Sequence, residues 1–102
     1  MSDGIDVEQK RREEARWRIL RILDAGRPIG VSEHIVWRAL TDIKLPFSMN
    51  DVRREMEYLR ERGLITIEGE DSDTWFGKLT RDGIDLVEYT VPIEPGIARP
   101  RR

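Results

Sequence analysis

The side chains with the most recognition chemistry cluster between residues 50 and 62. Asn50, Arg53, Arg54, Glu57, Tyr58 and Glu61 fall on one side of a helical wheel, opposite the apolar positions. An arginine fork matches a phosphate or a guanine edge, an asparagine amide matches an adenine edge, and a tyrosine hydroxyl donates to a phosphate. The same side also reads as a solvated lattice of ion pairs. Residues 50–62 as a whole hold Arg53, Arg54, Arg60 and Arg62 against Asp51, Glu55, Glu57 and Glu61, with no net charge. Arg53 and Glu57 stand i,i+4, and Glu57 and Arg60 i,i+3, so some of these arginines are expected to be occupied. A second cationic set precedes it. Lys10, Arg11, Arg12, Arg16, Arg18 and Arg21 face only Glu13 and Glu14 between residues 10 and 21. This is either a phosphate-gripping surface or a solvated helix face.

Chemistry of other kinds finds little support. There is no cysteine and a single histidine, His34, so thiolate and most zinc sites are excluded. The acids Glu68, Glu70, Asp71 and Asp73 cluster, but without the D-x-D-x-D-G order and distal glutamate of a calcium loop. No nucleophile elbow or phosphate-cradling glycine loop is present. The expectation is a protein that is not an enzyme, with no cofactor, no metal and no small-molecule ligand.

Local signals define the elements that carry these residues. Ser48 is an N-cap with Asp51 three residues on, a short form of the capping box. Met49, Val52, Met56 and Leu59 form an apolar stripe, and Gly63 suits a left-handed stop. Leu64-Ile65-Thr66-Ile67 reads as a strand, residues 68–73 as a loop, and 74–79 as the returning strand. Trp75 and Phe76 are adjacent on that strand, so one belongs to the core and the other to an exposed or contact side. Upstream, residues 7–25 read as a helix with Ala15, Ile19, Ile22 and Leu23 inward and Leu20 at the edge. Ile29-Gly30-Val31 is a short extended piece. Ser32 caps a helix over 33–43 with Ile35, Val36, Ala39, Leu40 and Ile43 inward. Thr80 caps a last helix whose apolar contacts are Ile84, Leu86, Val87 and Tyr89.

A helix ending Tyr58-Leu59-Arg60-Glu61-Arg62-Gly63-Leu64-Ile65, a short hairpin, and then Leu79-Thr80-Arg81-Asp82-Gly83 resemble the winged helix-turn-helix superfamily. The chain, including Tyr89-Thr90-Val91-Pro92-Ile93-Glu94-Pro95-Gly96-Ile97-Ala98-Arg99-Pro100, also resembles small proteins of Mu-like transposable phages and prophages. The first resemblance implies an α+β fold with a three-helix core, a two- to three-stranded wing, a C-terminal helix and an extended arm. It implies that residues 48–62 are a recognition helix. Asn50, Arg53, Arg54 and Tyr58 would then contact double-stranded DNA in the major groove, with Lys10, Arg11 and the terminal arginines gripping phosphate. The acidic loop departs from a DNA-touching wing, because carboxylates there are repelled by a phosphate backbone. The expected function is a small DNA-binding transcriptional regulator of a phage or mobile element. The alternative is a non-catalytic winged-helix protein-interaction module in phage development or assembly.

Size and charge bound these readings. The 102 residues suit one domain, with a flexible N-terminus over 1–7, the domain over 8–90 and a proline-containing basic arm over 91–102. A net charge of −2 is unusual for a free-standing DNA-binding domain. No apolar run is long enough for a membrane span, so a cytoplasmic protein is expected. Trp17 falls among charges, opposite the apolar stripe, where a large aromatic needs a cover. A second subunit or the chain's own proline-rich tail would supply it. Trp17, Arg21 and Tyr89 are therefore candidate interface residues of a homodimer. The expected core is Ile19, Ile22, Leu23, Ile35, Ala39, Leu40, Val52, Met56, Leu59, Ile65, Ile67 and Leu79, closed by Ile84 and Val87.

Overall fold

Four helices and a small sheet follow one another along the chain. A computed structural model describes residues 4–102. In order they are α1 (Val7–Ala25), β1 (Val31–Ser32), α2 (Glu33–Asp42), α3 (Met49–Glu61), β2 (Ile65–Glu68), β3 (Phe76–Leu79) and α4 (Arg81–Val87). The sheet is antiparallel with β3 in the centre, Val31 opposite Gly77 and Ile65 opposite Leu79. The architecture is α+β.

Each helix starts on a side-chain acceptor. Asp6, Ser32, Ser48 and Thr80 accept from the backbone N–H of Gln9, Ile35, Asp51 and Gly83. The capping box on α3 closes in both directions, with Asp51 N–H to Ser48 Oγ at 3.1 Å and Ser48 N–H to Asp51 Oδ2 at 3.0 Å. With its cap at Asp6, α1 starts at Val7, where the sequence pattern placed it, inside the segment expected to be flexible over 1–7. Residues 1–3 of that segment lie outside the described residues.

Gly63 adopts φ +76° and lets the chain leave α3 directly into β2. Gly83 serves a different need: a Cβ there would stand 2.1 Å from the Leu64 carbonyl oxygen, so α4 sits directly against the start of β2. Gly83→Ala is expected to lower unfolding free energy by roughly 2 kcal/mol, read by denaturant titration.

The core is built from Ile19, Leu20 and Leu23 of α1, Val36 and Leu40 of α2, Val52, Met56 and Leu59 of α3, with Leu64, Ile65 and Leu86. Three residues expected inward on α2 are not in it. Ile35 is 55% and Ile43 42% exposed, and Ala39 is only half-buried. The reason is phase: α2 buries Glu33, Val36 and Leu40, spaced i, i+3 and i+7, and that narrow stripe leaves 35, 39 and 43 on the next strip round the helix. Ile22, Ile67, Leu79 and Ile84 are only partly buried.

α1, by contrast, buries more than one stripe. Trp17 is 3% exposed and meets Tyr89 edge-to-face, with ring centroids 6.1 Å apart. Its cover is the chain itself. Ile97 of the arm is buried, Ala98 N–H donates to Glu13 O at 3.1 Å, Arg99 Nη1 donates to Leu86 O at 2.9 Å, and Tyr89 Oη donates to Pro100 O at 2.8 Å. Residues 91–102 contain no helix or strand, as expected, but they are docked on the domain rather than separate from it.

Candidate functional site

The outer side of α3 divides into two halves with different chemistry. Its first turns meet the start of α1 across a groove of about 140 Å³. Arg11, Arg12 and Arg54 line it with Glu8 and Asp51, and Asn50 is exposed beside it in the first turn of α3. Arg11 lies 3.7 Å from Glu8 and Arg54 lies 3.2 Å from Asp51, all with exposed or half-exposed side chains. Such surface pairs are worth at most about 1 kcal/mol and exchange readily for another anion. Arg12 takes part in no ion pair among the described residues. Asp51 is held below the usual aspartate range, first by the Ser48 backbone N–H, so it stays charged and keeps the helix start capped. Lys10 is exposed on α1 and pairs with Glu13 at 4.0 Å, one residue along from the groove.

The second half is occupied by the protein's own groups. Tyr58 lies between two guanidinium groups, Arg16 at 3.6 Å and Arg62 at 4.7 Å from its ring centroid, and its hydroxyl donates to Pro95 O at 3.4 Å. Arg16 also binds the buried carboxylate of Glu55 at 2.7 Å and donates to Gly96 O at 3.0 Å. Arg62 reaches Glu94 at 3.3 Å. Arg60 binds both Glu57 and Glu70 of the β2–β3 loop, and hydrogen bonding to Glu70 is the main cause of its raised pKa. The groove widens here into a shallow trough, with Arg12 and Arg54 on both stretches and Glu57 and Glu61 at the far end.

Arg53 is the largest departure from expectation. It does not pair with Glu57 and does not extend outward. Its guanidinium turns back to Glu33, with Nε to Oε1 at 2.6 Å and Nη2 to Oε2 at 2.7 Å, donates to Asp73 O at 3.1 Å, and stacks 4.6 Å from the Trp75 ring centroid. Glu33 is fully buried and also accepts from Trp75 N–H at 2.9 Å. That bond takes the N–H of Trp75, and β3 begins one residue later, at Phe76 rather than at the expected 74. The Arg53 hydrogen bond, opposed by burial, holds Glu33 below its ordinary pKa. Of the four candidate contacts on α3, Asn50 and Arg54 are therefore exposed, while Arg53 and Tyr58 are engaged within the chain.

The candidate interface residues need the same correction. Trp17 is covered by its own chain. Tyr89 is half-buried against Trp17 and beneath Arg99 and Arg102, at 4.3 and 4.5 Å. Only Arg21 is exposed, its guanidinium 5.9 Å from the Trp17 ring. Phe76 is 44% exposed while Trp75 packs on the core, so the two adjacent aromatics do face different environments.

Sequence reasoning missed Glu33, Glu55 and Arg16 as a buried ionic framework. Glu55 carried a signal, because it stands in phase with Val52, Met56 and Leu59. A charge on an apolar stripe must find a buried partner.

Among the described residues no helix is long and apolar enough to cross a membrane, and no group of three or more His, Cys, Asp or Glu is arranged to hold a metal. Comparison of the chain with protein-family models, curated proteins and solved structures gives no match.

Proposed function

We propose that the chain is a small, non-catalytic winged-helix protein of the cytoplasm that binds double-stranded DNA through the start of α3. In the setting implied by its resemblances, it would act as a transcriptional regulator of a phage or mobile element. The observation that carries the reading is the groove between α1 and α3, lined by Arg11, Arg12 and Arg54, with Asn50 exposed in the first turn of α3 and most of the nearby acids engaged. Glu55 is bound by Arg16, Glu57 by Arg60, and Asp51 by the helix cap. The helix order α1-β1-α2-α3-β2-β3-α4 and the β1-β3-β2 sheet are compatible with a winged helix. Asn50 and Arg54 would meet base edges, and Arg11, Arg12 and Lys10 would meet phosphates. Arg53 and Tyr58 are not part of this reading. The wing, with exposed Glu68, Asp71 and Asp73, would stay off the backbone.

The test is fluorescence anisotropy with a random-sequence duplex across a salt series. Binding that weakens linearly in log salt is the expected result. Arg12→Ala should weaken it uniformly across sequences and reduce the salt slope by about 1. Arg54→Ala should lose roughly 1–3 kcal/mol of affinity on a selected site and relax its sequence preference. Failure to bind at about 50 mM salt, where phosphate contacts are strongest, would overturn the reading.

A second reading is favoured by one observation, the exposed apolar strip on α2. It makes the domain a protein-interaction module, and it gains if the duplex experiment is blank.

A further inference from the structure

Ile35 and Ala39 of α2, and Ile43 at its C-cap, stand four residues apart on a strip that the core does not use. The two isoleucines are 55% and 42% exposed. Arg38 and Asp42 run along one flank of this strip, one turn apart. Both are exposed, and neither takes part in an ion pair with any described residue, although i,i+4 spacing would allow them to pair with each other. Ile22 and Ala25 of α1 adjoin the strip, with Ala39 and Ile43 on the same depression, whose rim also carries Arg18 and Arg21.

We infer that this strip is a self-association surface, on which a second copy of the chain lays its own α2 antiparallel across a two-fold axis at Ala39. The pattern is symmetric about its centre, with an isoleucine four residues to either side of a small residue. In an antiparallel pair crossing at Ala39, Ile35 of one copy lies level with Ile43 of the other at both ends, about 12 Å apart along the axis. Alanine at the crossing lets the two backbones approach closely.

The flanking charges fit the same operator. A two-fold axis perpendicular to the plane of the pair keeps residues 38 and 42 of both copies on one side. Arg38 of each copy then lies about 3 Å along the axis from Asp42 of the other, against about 6 Å from Asp42 of its own helix. The interface is isologous, with each copy supplying both the cation and the anion. A generic apolar partner would need the strip but not this charge order.

The inference is separate from the duplex reading, since its test contains no nucleic acid. Sedimentation velocity and light scattering on the full chain, up to about 1 mM, should give a reversible dimer of twice the 12.0 kDa chain mass. Ile35→Glu should abolish it with an unchanged circular dichroism spectrum, because the side chain lies outside the core. Arg38→Asp and Asp42→Arg should each raise the dimer dissociation constant about tenfold or more by juxtaposing like charges. The double variant Arg38→Asp/Asp42→Arg should return it to within about threefold of wild type.

A chain that stays monomeric to the highest concentration overturns the inference. So does a dimer that survives Ile35→Glu, since its interface then lies elsewhere. Single charge variants that weaken the dimer without rescue in the double variant also overturn it.

Discussion

Glu33→Ala should lower the unfolding free energy by about 3 kcal/mol and the melting temperature by roughly 15 °C. The glutamate is fully buried, and its two oxygens accept from Arg53 Nε, Arg53 Nη2 and Trp75 N–H. Truncation removes all three bonds together and leaves the Trp75 N–H without its acceptor, next to the point where β1 pairs with β3. The expected loss sits at the low end for a broken buried ion pair, because the Arg53 side chain is 33% exposed and can turn towards water.

The pH dependence has a definite sign. Folding lowers the Glu33 pKa from its ordinary value of 4.5, so the folded protein favours the charged carboxylate more than the unfolded chain does. This stabilisation is complete above the ordinary value and is lost as the pH falls through the lowered one. The gap between wild type and Glu33→Ala should therefore be largest at neutral pH and shrink in acid. Arg53→Met removes the main contact that lowers the Glu33 pKa and leaves burial opposed mainly by the Trp75 N–H; the pKa rises, so the Arg53→Met deficit should likewise be largest at neutral pH and shrink as acid protonates Glu33. Urea titrations of the three proteins at a series of pH values measure this. A Glu33→Ala deficit that does not change with pH would show that the lost stability is packing rather than charge.

The same substitution bears on the proposed duplex contact. With Glu33 gone, Arg53 is released on the outer side of α3 and becomes one more cation for phosphate. At temperatures well below its melting point, Glu33→Ala should be less stable than wild type yet bind random duplex more tightly, with a steeper salt dependence.

These contrasts mark what the sequence could and could not disclose. Caps and stops are local, decided within three or four residues. Ser48 with Asp51, Thr80 with Gly83, and Gly63 at the end of α3 were all readable. The close approach at Gly83 was readable in kind, since glycine inside a helix implies a near backbone.

The role of α3's outer side was not readable, because it is set by partners distant in sequence. Arg53 had a local candidate in Glu57, but Glu33, twenty positions away, offers a buried, bidentate acceptor beside an aromatic face. In low dielectric that outweighs an exposed i,i+4 pair. Trp17 failed on a helical wheel for a related reason. A wheel assumes one buried face, whereas α1 is covered from two directions once α4 and the arm fold back. The two isoleucines of α2 show the opposite error. Apolar type alone assigned them to the core, but a ten-residue helix lying on a small core has room there for one stripe only.

Ile97→Ala should lower stability by about 2 kcal/mol, and removal of residues 91–102 by more. An arm that served only to pair subunits could be lost with the fold intact. The docked arm is instead part of the fold. Ile97 is 5% exposed within the core, and the arm's backbone supplies acceptors to Arg16, Tyr58 and Tyr89 as well as a donor to Glu13 O. Deletion strips these partners at once and uncovers the Trp17–Tyr89 contact. The truncated chain should melt lower than Ile97→Ala, with tryptophan emission shifted to the red as Trp17 meets water. Comparing the two separates burial from hydrogen bonding, since Ile97→Ala keeps the backbone bonds and loses only side-chain packing. If the dimer forms on α2, neither change should alter association at temperatures where the variants remain folded, because the arm packs on α1, α3 and α4 rather than on the 35–39–43 strip. A truncated chain that melts with wild type would mean that the arm adds nothing to the core. A truncated chain that is folded but strictly monomeric would move self-association from α2 to the arm.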